Sequence, residues 1–319
     1  MVEGTPFSDP AATGESGVLA RLFFSSNLLG EFEPCACPDL PLGGLAQAAG
    51  RVEMLRQRPT PVLWLDAGDR LFRIDMAMTG TEEAERRLRA ILLVDAGSVG
   101  GLDALGVGRL ELGAGLDYLR ALERRASFPL LSANLVDTAG ELLFTPSVLL
   151  DAGDRKIGVT SVLPVEVSGP GYRATDPRRA AKQQVAALRE AGAELVVLLS
   201  NLGMDADVRL ARASGADLVL GSRSRELTTE GVRAGRAQVG QAGSRGRYLG
   251  EARWYAEGKG RGPHLVVTTE PVPSSGSQHP GVARLVAEVF ERLADPVLGV
   301  PPLKVDGWDD PEFRRRQAR

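Results

Sequence analysis

Polar side chains follow several of the apolar segments that the sequence predicts as buried strands. Asn27, Asn134 and Asn201 each come just after such a segment, and Asp69 closes the turn after a fourth. Because α/β folds place ligand-binding groups at the ends of their strands, these residues are candidates for a site. Each asparagine can equally fix a loop by bonding to the backbone, which is the role we expect for Asn134, and Asp69 can cap a turn.

A second group with chemical potential is the Cys-x-Cys pair, Cys35 and Cys37. Two thiolates at this spacing could share a soft metal such as copper(I) or zinc, although two ligands alone rarely suffice, and Asp39 lies near enough in sequence to assist. A disulfide between them would close a small, strained ring. The alternative is a pair of partly buried thiols that pack a loop.

The composition describes a chain that can bury a full core. It has 319 residues, of which 43% are hydrophobic and 25% charged, and a net charge of −3. This charge gives no electrostatic footprint for nucleic acid, so we expect no nucleic-acid partner. The longest apolar runs, such as 195–199, are far shorter than the roughly 20 residues of a membrane span, so we predict no transmembrane segment.

The first 17 residues are small and polar, which favours a disordered leader. They show no basic start, apolar run or cleavage site, so they are not a signal peptide. The protein is therefore expected either in the cytoplasm or as a mature exported form without its leader.

Apolar runs and helical periodicity alternate along the rest of the chain. The predicted strands are 18–24, 61–65, 107–112, 129–133, 194–200 and 217–220, with a hairpin whose two strands are 147–150 and 156–162 and more sheet at 236–255 and 264–269. The predicted helices are 45–56, 82–94, 116–125, 179–191 and 205–213. This order predicts an α/β fold with two mixed β-sheets in one domain, 18–272. Residues 273–319 are predicted as a linker, an amphipathic helix at 282–293 and an irregular tail.

Short motifs at the strand ends resemble a known family. They are SSNLLG at 25–30, GGLA at 43–46, LDAGD at 65–69, LSAN at 131–134, LSNLG at 199–203 and LGSRSR at 220–225, with further matches at 104–113 and 241–250. Together, over 18–255, they resemble the calcineurin-like metallophosphoesterases, specifically the amino-terminal domain of the 5'-nucleotidases. The resemblance implies a four-layer fold in which two sheets pack as a sandwich between helices.

The resemblance also implies two divalent metals, which polarise a phosphate and generate a hydroxide nucleophile. The family's ligand positions fall on Asn27 and Leu29, on Asp69 of the Gly68-Asp69 pair, on Ala114 and Gly115, on Asn201, and on Arg223 and Arg225. Only Asp69 keeps a family ligand. The chain's two histidines, His264 and His279, lie beyond the matched region. We therefore expect no two-metal cofactor and no confident catalytic residue among the family-equivalent positions Asn27, Asp69 and Asn201.

Arg223 and Arg225 alternate along a loop, and we expect them to face Asp69 if that loop is extended. Their guanidinium groups could then replace the lost metal charge, either by pairing with Asp69 or by holding phosphate or another anion. The alternative is a salt-bridged plug without a ligand.

These observations leave three functional hypotheses. The first is a non-catalytic homologue that acts as a binding or assembly module with a protein partner in the bacterial cell envelope, a location that the resemblance implies. The second is a phosphoric ester hydrolase with an unconventional or single-metal site on Asp69, Asn27 and Asn201. The third is a thiol-based metal or redox role of Cys35 and Cys37. About 60 residues remain after position 255, so we do not expect the second domain that binds the nucleoside in the family, and the resemblance is taken as one of fold and not of substrate.

Overall fold

The computed structural model describes residues 17–35, 41–73, 80–256 and 263–294. The helices are α1 (Leu45–Arg56), α2 (Gly80–Val99), α3 (Leu116–Arg125), α4 (Pro177–Glu190), α5 (Met204–Ser214) and α6 (Pro280–Ala294). The strands are β1 (Val18–Ser25), β2 (Val62–Asp66), β3 (Ala104–Gly106), β4 (Leu130–Leu131), β5 (Leu135–Val136), β6 (Ser147–Ala152), β7 (Arg155–Val162), β8 (Ser168–Gly169), β9 (Tyr172–Ala174), β10 (Leu195–Ser200), β11 (Leu218–Gly221), β12 (Val232–Ala234), β13 (Ala237–Gly240), β14 (Tyr248–Tyr255) and β15 (His264–Pro271).

The first sheet has the order β15-β14-β1-β2-β3-β4. β1 runs parallel to β2 and antiparallel to β14, so this sheet is mixed. β1 is buried from Ala20 to Ser25, and its one charged residue, Arg21, forms an ion pair with Glu251, which is typical of a strand covered on both sides. Gly250 of β14 lies opposite Phe24, and any larger residue there would collide with the Phe24 ring, which lies 2.1 Å from the position of an added Cβ.

The second sheet has the order β12-β13-β11-β10-β7-β6. Its four inner strands are parallel, and an antiparallel strand closes each edge. The central strand β10 is buried along its whole length, as its continuous apolar sequence predicts. A third, small sheet of β5, β9 and β8 was not predicted from the sequence.

Three apolar clusters define four layers. The faces of the two large sheets meet through residues such as Leu22, Phe24 and Leu199. α1, α2 and α6 cover the other face of the first sheet, around Trp64, and α4 and α5 cover the second sheet around Leu198. The predicted α/β fold with two mixed sheets packed as a sandwich and flanked by helices is therefore confirmed.

Two strand predictions were wrong in detail. β3 ends at Gly106, and residues 107–112 lead into a 3-10 helix, Leu110–Ala114, instead of continuing as a strand. The reason is Glu111, whose carboxylate accepts the backbone N–H of Gly108 at 2.7 Å and curls the chain back on itself. Similarly, the strand predicted at 129–133 is reduced to the two residues of β4.

The segment predicted as a linker is hydrogen-bonded to the domain. Gln47 of α1 donates to the carbonyl of Ser274 at 2.9 Å, and the His279 N–H donates to the carbonyl of Ala46 at 2.8 Å. α6 then packs on α1 and α2, and Phe290 meets Phe32 edge to face. Residues 1–16 and 295–319, which hold most of the predicted leader and tail, lie outside the described residues. None of the described helices combines the length and apolar character needed to cross a bilayer.

Candidate functional site at the strand ends

The parallel strands of both sheets end at one edge of the sandwich, where the two sheets are bonded to each other. Ser26, after β1, donates its hydroxyl to the carbonyl of Gly221 at 2.8 Å. Ser222, after β11, donates its hydroxyl to the carbonyl of Ala67 at 2.8 Å. This edge brings together the predicted site residues Asn27, Asp69, Asn201 and Arg223 from four segments of the chain.

Asn27 uses both of its polar side-chain atoms on the backbone of the second sheet. Its Nδ2 donates to the carbonyls of Ser224 and Gly243, each at 3.0 Å. Its Oδ1 accepts the backbone N–H of Arg223 at 2.7 Å. With φ of 50°, Asn27 lies in the left-handed region, which asparagine tolerates well. The side chain therefore ties two loops of the second sheet to the end of β1.

Asp69 is buried at the centre of this edge. Its Oδ1 accepts the backbone N–H of Leu110 at 2.9 Å, and the Asn201 side chain also donates to it. Burial raises the pKa of Asp69 above its ordinary value, whereas these two hydrogen bonds and the charges of Arg109 and Arg223 oppose that rise. Both arginines are therefore close enough to influence the buried carboxylate.

Asn201 connects the end of β10 to the segment after β3. Its Oδ1 accepts the backbone N–H of Arg109 at 2.9 Å, and its Nδ2 donates to the hydroxyl of Ser222 at 2.8 Å. The hydrogen bonds at Asn201 and Asp69 thus involve Arg109 and Leu110. The resemblance placed the Asn-His pair of the family at Ala114 and Gly115, but the structure puts Arg109 and Leu110 next to the site. The predicted positions lie too far along the chain because 107–112 was interpreted as a strand.

Arg223 and Arg225 do not form the predicted pair. Arg223 has φ of 71°, so the extended conformation that would point both side chains the same way is interrupted there. The Arg223 guanidinium forms an ion pair with Glu166, with 2.9 Å between Nη2 and Oε1. Arg225 is exposed, and its charge is not among those that shift the pKa of Asp69. The second cation at this site is Arg109, which sequence reasoning missed.

Glu111 organises the backbone beneath Asp69 and was also missed. Its two carboxylate oxygens accept four backbone N–H groups, those of Gly108, Asp69, Arg70 and Leu71. Burial, followed by the nearby charge of Asp69, raises the pKa of Glu111 to about 8, although the N–H donors oppose this rise. A lone carboxylate within the apolar segment 107–112 was the signal that could have revealed this role.

A buried ion pair lies on the first-sheet side of the site. Arg70 and Asp66 are both fully buried, and 2.9 Å separates Nη1 from Oδ2. Ser25 also donates to Asp66 at 2.7 Å, and Arg70 donates to the carbonyl of Leu93 at 3.1 Å. The polar atoms of the pair are thus extensively hydrogen-bonded within the protein, as buried charges require.

A third buried carboxylate, Asp207, lies under the second sheet's half of the site. It accepts the hydroxyl of Ser200 at 2.6 Å and the side-chain amide of Gln241 at 2.9 Å. Burial raises the pKa of Asp207 to about 7. In the sequence, this group is marked only as an acidic residue in the first turn of α5.

The backbone at this edge is unusual. Among the described residues, the non-glycine residues with positive φ are Asn27, Leu29, Asp69, Arg223 and Arg245. Four of these five positions are ones to which the resemblance assigns a metal ligand. Such conformations cost about 1–3 kcal/mol each and tend to concentrate at functional sites. Among the described non-glycine residues, left-handed backbone is therefore concentrated at positions to which the resemblance assigns a functional role.

Sequence comparison finds the 5'-nucleotidases. The mouse 5'-nucleotidase is 28% identical over 244 residues, which cover 70% of this chain and 41% of the mouse protein. A probable 5'-nucleotidase from Treponema pallidum is 28% identical over 192 residues, or 56% of this chain and 30% of its own. This chain spans about two fifths of the length of the mouse relative. No protein-family model matches it.

Comparison with solved structures finds similar folds. A calcineurin-like phosphoesterase from Bacillus subtilis superposes with a TM-score of 0.70 at 18% identity, covering 87% of this chain and 98% of its own. A 5'-nucleotidase precursor from Thermus thermophilus gives a TM-score of 0.71 at 21% identity, covering 86% of this chain and 59% of its own. This chain has the calcineurin-like phosphoesterase fold. The predicted resemblance to the amino-terminal domain of the 5'-nucleotidases is confirmed.

Divalent metals of the calcineurin-like phosphoesterase family do not fit the donor set at this edge. Asn27 and Asn201 direct their oxygens to backbone N–H groups, and Leu29 and Arg223 cannot ligate a cation. Asp66 and Glu111 are already saturated by hydrogen bonds from the protein. Over the described ranges, no group of three or more His, Cys, Asp or Glu residues is arranged to hold a metal.

The remaining predicted groups lie elsewhere. Asn134 is buried and bonds only to backbone, donating to the carbonyls of Leu163 and Thr175 and accepting the Leu163 N–H, as expected for a loop-fixing residue. The Sγ of Cys35 accepts the Leu42 N–H at 3.3 Å. Cys37 and Asp39 lie outside the described residues.

His264 lies far from the strand-end site, whereas His279 is bonded at the start of its own helix. His264 stacks on Tyr255, which pairs with Val18 at the opposite end of β1, about 23 Å from Ser25 at the usual rise of a strand. His279 accepts the Val282 N–H at the start of α6. A cavity of about 1220 Å³ also lies at that opposite end, lined by residues including Leu19, Leu195 and His264.

Proposed function

We propose that this chain is a non-catalytic homologue of the metallophosphoesterases that acts as a binding or assembly module. The observation that carries the proposal is the closed hydrogen-bond network at the strand ends. Asn27, Asn201 and Asp69 occupy family ligand positions, yet each bonds to protein groups instead of presenting oxygens to a shared cation. A hydrolase of this family needs two metals to activate water, and this donor set supplies neither site.

The first test is metal content together with hydrolysis. Protein purified without chelator is examined by elemental mass spectrometry and assayed with bis(p-nitrophenyl) phosphate in added manganese. We expect a metal content well below one ion per chain and no hydrolysis above a buffer blank. Stoichiometric metal that disappears in Asp69→Asn, or hydrolysis abolished by that substitution, would overturn the proposal.

A phosphoric ester hydrolase with a single-metal site on Asp69 is the alternative that the 5'-nucleotidase relatives favour. The same assay decides between the two, because hydrolysis must then depend on both added metal and Asp69. Metal that is retained in Asp69→Asn but lost in Cys35→Ser/Cys37→Ser would instead support the thiol-based role.

We also propose that the module works in the cell envelope with a protein partner, an extension of its likeness to the 5'-nucleotidases. Cell fractionation of the native source, followed by detection with an antibody, tests the location. Recovery in the cytoplasmic fraction alone would contradict it.

A further inference from the structure

Arg109 and Arg223 lie on neighbouring loops, because the Asn201 side chain bonds both to the Arg109 N–H and to the hydroxyl of Ser222, the residue before Arg223. We call the surface formed by Arg109, Arg223 and Glu166 the mouth of the strand-end site. Arg223 bonds to Glu166 at 2.9 Å, with 57% of the Glu166 side chain exposed. Arg109 and Arg223 both lower the pKa of Glu166, although a backbone hydrogen bond of Glu166 itself has the larger effect. The same two arginines act on Asp69, below. Both positive charges therefore act on a buried carboxylate, Asp69, and on a solvent-exposed carboxylate, Glu166.

Hydrogen bonds hold the backbone at both arginines. The N–H of Arg109 is held by the Asn201 side chain at 2.9 Å, and the N–H of Arg223 is held by the Asn27 side chain at 2.7 Å. Both asparagines are buried. A binding group that begins at a fixed backbone loses less conformational freedom when it binds a ligand. The hydrogen-bond network thus fixes the backbone from which the two cationic side chains extend.

The Glu166 carboxylate is held only weakly at this mouth. Its ion pair with Arg223 is largely exposed to water, and such pairs contribute little to stability. A guanidinium carries five N–H donors in a planar fork suited to carboxylate and phosphate oxygens. An oxyanion that engages both arginines would gain charge-assisted hydrogen bonds that an exposed single contact does not provide.

We propose that Arg109 and Arg223 form a binding site for a small oxyanion, a carboxylate or a phosphate, and that Glu166 occupies this site until the oxyanion displaces it. The inference rests on the proposed function, since it takes guanidinium groups and not metals to be the charges at this edge. It also replaces Arg225, the partner predicted from the sequence, by Arg109.

The test is isothermal titration calorimetry of the full chain with inorganic phosphate and, separately, succinate, at low salt, after metal has been removed with a chelating resin. Glu166→Gln is expected to bind about twofold to fivefold more tightly than the wild type, because it removes the competing carboxylate. Arg109→Gln and Arg223→Gln are each expected to bind about tenfold more weakly or worse. Arg236→Gln, an exposed arginine after β12, is the matched control and should leave the affinity unchanged.

Several results would overturn this proposal. They are no binding of either anion, an unchanged affinity in Glu166→Gln, or a loss in Arg225→Gln as large as that in Arg223→Gln. Glu166→Gln changes an exposed side chain, so its result stands even if an arginine variant fails to fold. Tighter binding of succinate or of phosphate identifies which oxyanion the site prefers, and either result supports it. Binding that requires added metal and is absent from the resin-treated protein would overturn the arginine site, whereas the metal-content experiment tests the proposed function separately.

Discussion

The backbone N–H of Leu110 lies 2.9 Å from Oδ1 of Asp69 and donates a hydrogen bond to it. Asp69 is the carboxylate retained from the family's ligand set, and Leu110 has no side-chain atom that could coordinate or donate. A peptide group thus satisfies the oxygen that a metal would require. We infer that Asp69 now stabilises the fold, and this role differs measurably from a catalytic one.

Asp69→Ala is expected to lower the free energy of unfolding by about 1–3 kcal/mol, because it leaves the buried Leu110 N–H and the Asn201 amide without their acceptor. Urea denaturation measures the change. Glu190→Ala, at the exposed end of α4, is the control and should shift stability by less than about 0.5 kcal/mol. A more stable Asp69→Ala variant would contradict the structural role, since removal of strained functional groups commonly stabilises an enzyme.

Restoring the family's aspartate at position 27 is expected to destabilise this protein. In Asn27→Asp, a carboxylate would face the carbonyls of Ser224 and Gly243, which now accept from Nδ2. The loss of two donors and the buried repulsion should lower the free energy of unfolding by about 3 kcal/mol. Chemical denaturation gives the value. Gln183→Glu, the same amide-to-acid change on the exposed face of α4, should have little effect; equal losses in both would contradict the prediction.

Arg70→Met is expected to lower the free energy of unfolding by about 3–5 kcal/mol, because it leaves the charge of Asp66 buried without its partner. The double variant Asp66→Asn/Arg70→Met should recover part of that loss, and a double-mutant cycle gives the coupling. Lys156→Met removes an exposed ion pair with Asp151 and should lower the free energy of unfolding by about 1 kcal/mol or less. Additive effects of the Asp66 and Arg70 substitutions would show that the pair is not coupled.

Asp207 predicts a pH dependence of stability. Its pKa is raised to about 7 in the folded protein, whereas the unfolded value is near 4, so the folded state binds the proton more tightly. The stability that this group contributes is therefore fully present below about pH 4 and is lost as pH rises through about 7. The unfolding free energy, measured from pH 5 to 8, should fall less steeply in Asp207→Asn than in the wild type. Parallel curves for the two proteins would contradict the assignment.

The sequence was sufficient for the fold because long apolar strands and periodic helices dominate it. α1 and α3 lie at the predicted residues, and β1, β7 and β10 lie within one or two residues of prediction. The failures occur where one polar side chain overrides the local pattern. Glu111 turns an apolar segment into a 3-10 helix by gathering backbone N–H groups from two loops, and spacing within 107–112 alone does not reveal this.

Only part of the site was predicted, because strand ends follow from the local pattern and the partners of their side chains do not. Asn27, Asp69 and Asn201 follow strands, so the topology of parallel sheets brings them to one edge. The partners of their side chains come from other loops, such as the segment 107–111 after β3 and the loop at 221–225. The choice of Arg109 as the cation beside Arg223 depends on the φ of Arg223 and on the position of the Arg109 backbone. Neither follows from the spacing of residues in the sequence.

The hydroxyls of Ser26 and Ser222 each cross from one sheet to the other at 2.8 Å, at the same end of the sandwich. At the opposite end, the sheets border a cavity of about 1220 Å³. Opening of the sandwich should therefore begin at the cavity end and spread toward the serines. Amide hydrogens near Leu195 and Leu265 should then exchange with solvent before those near Leu199 and Phe24, an order set by where the two sheets are fastened.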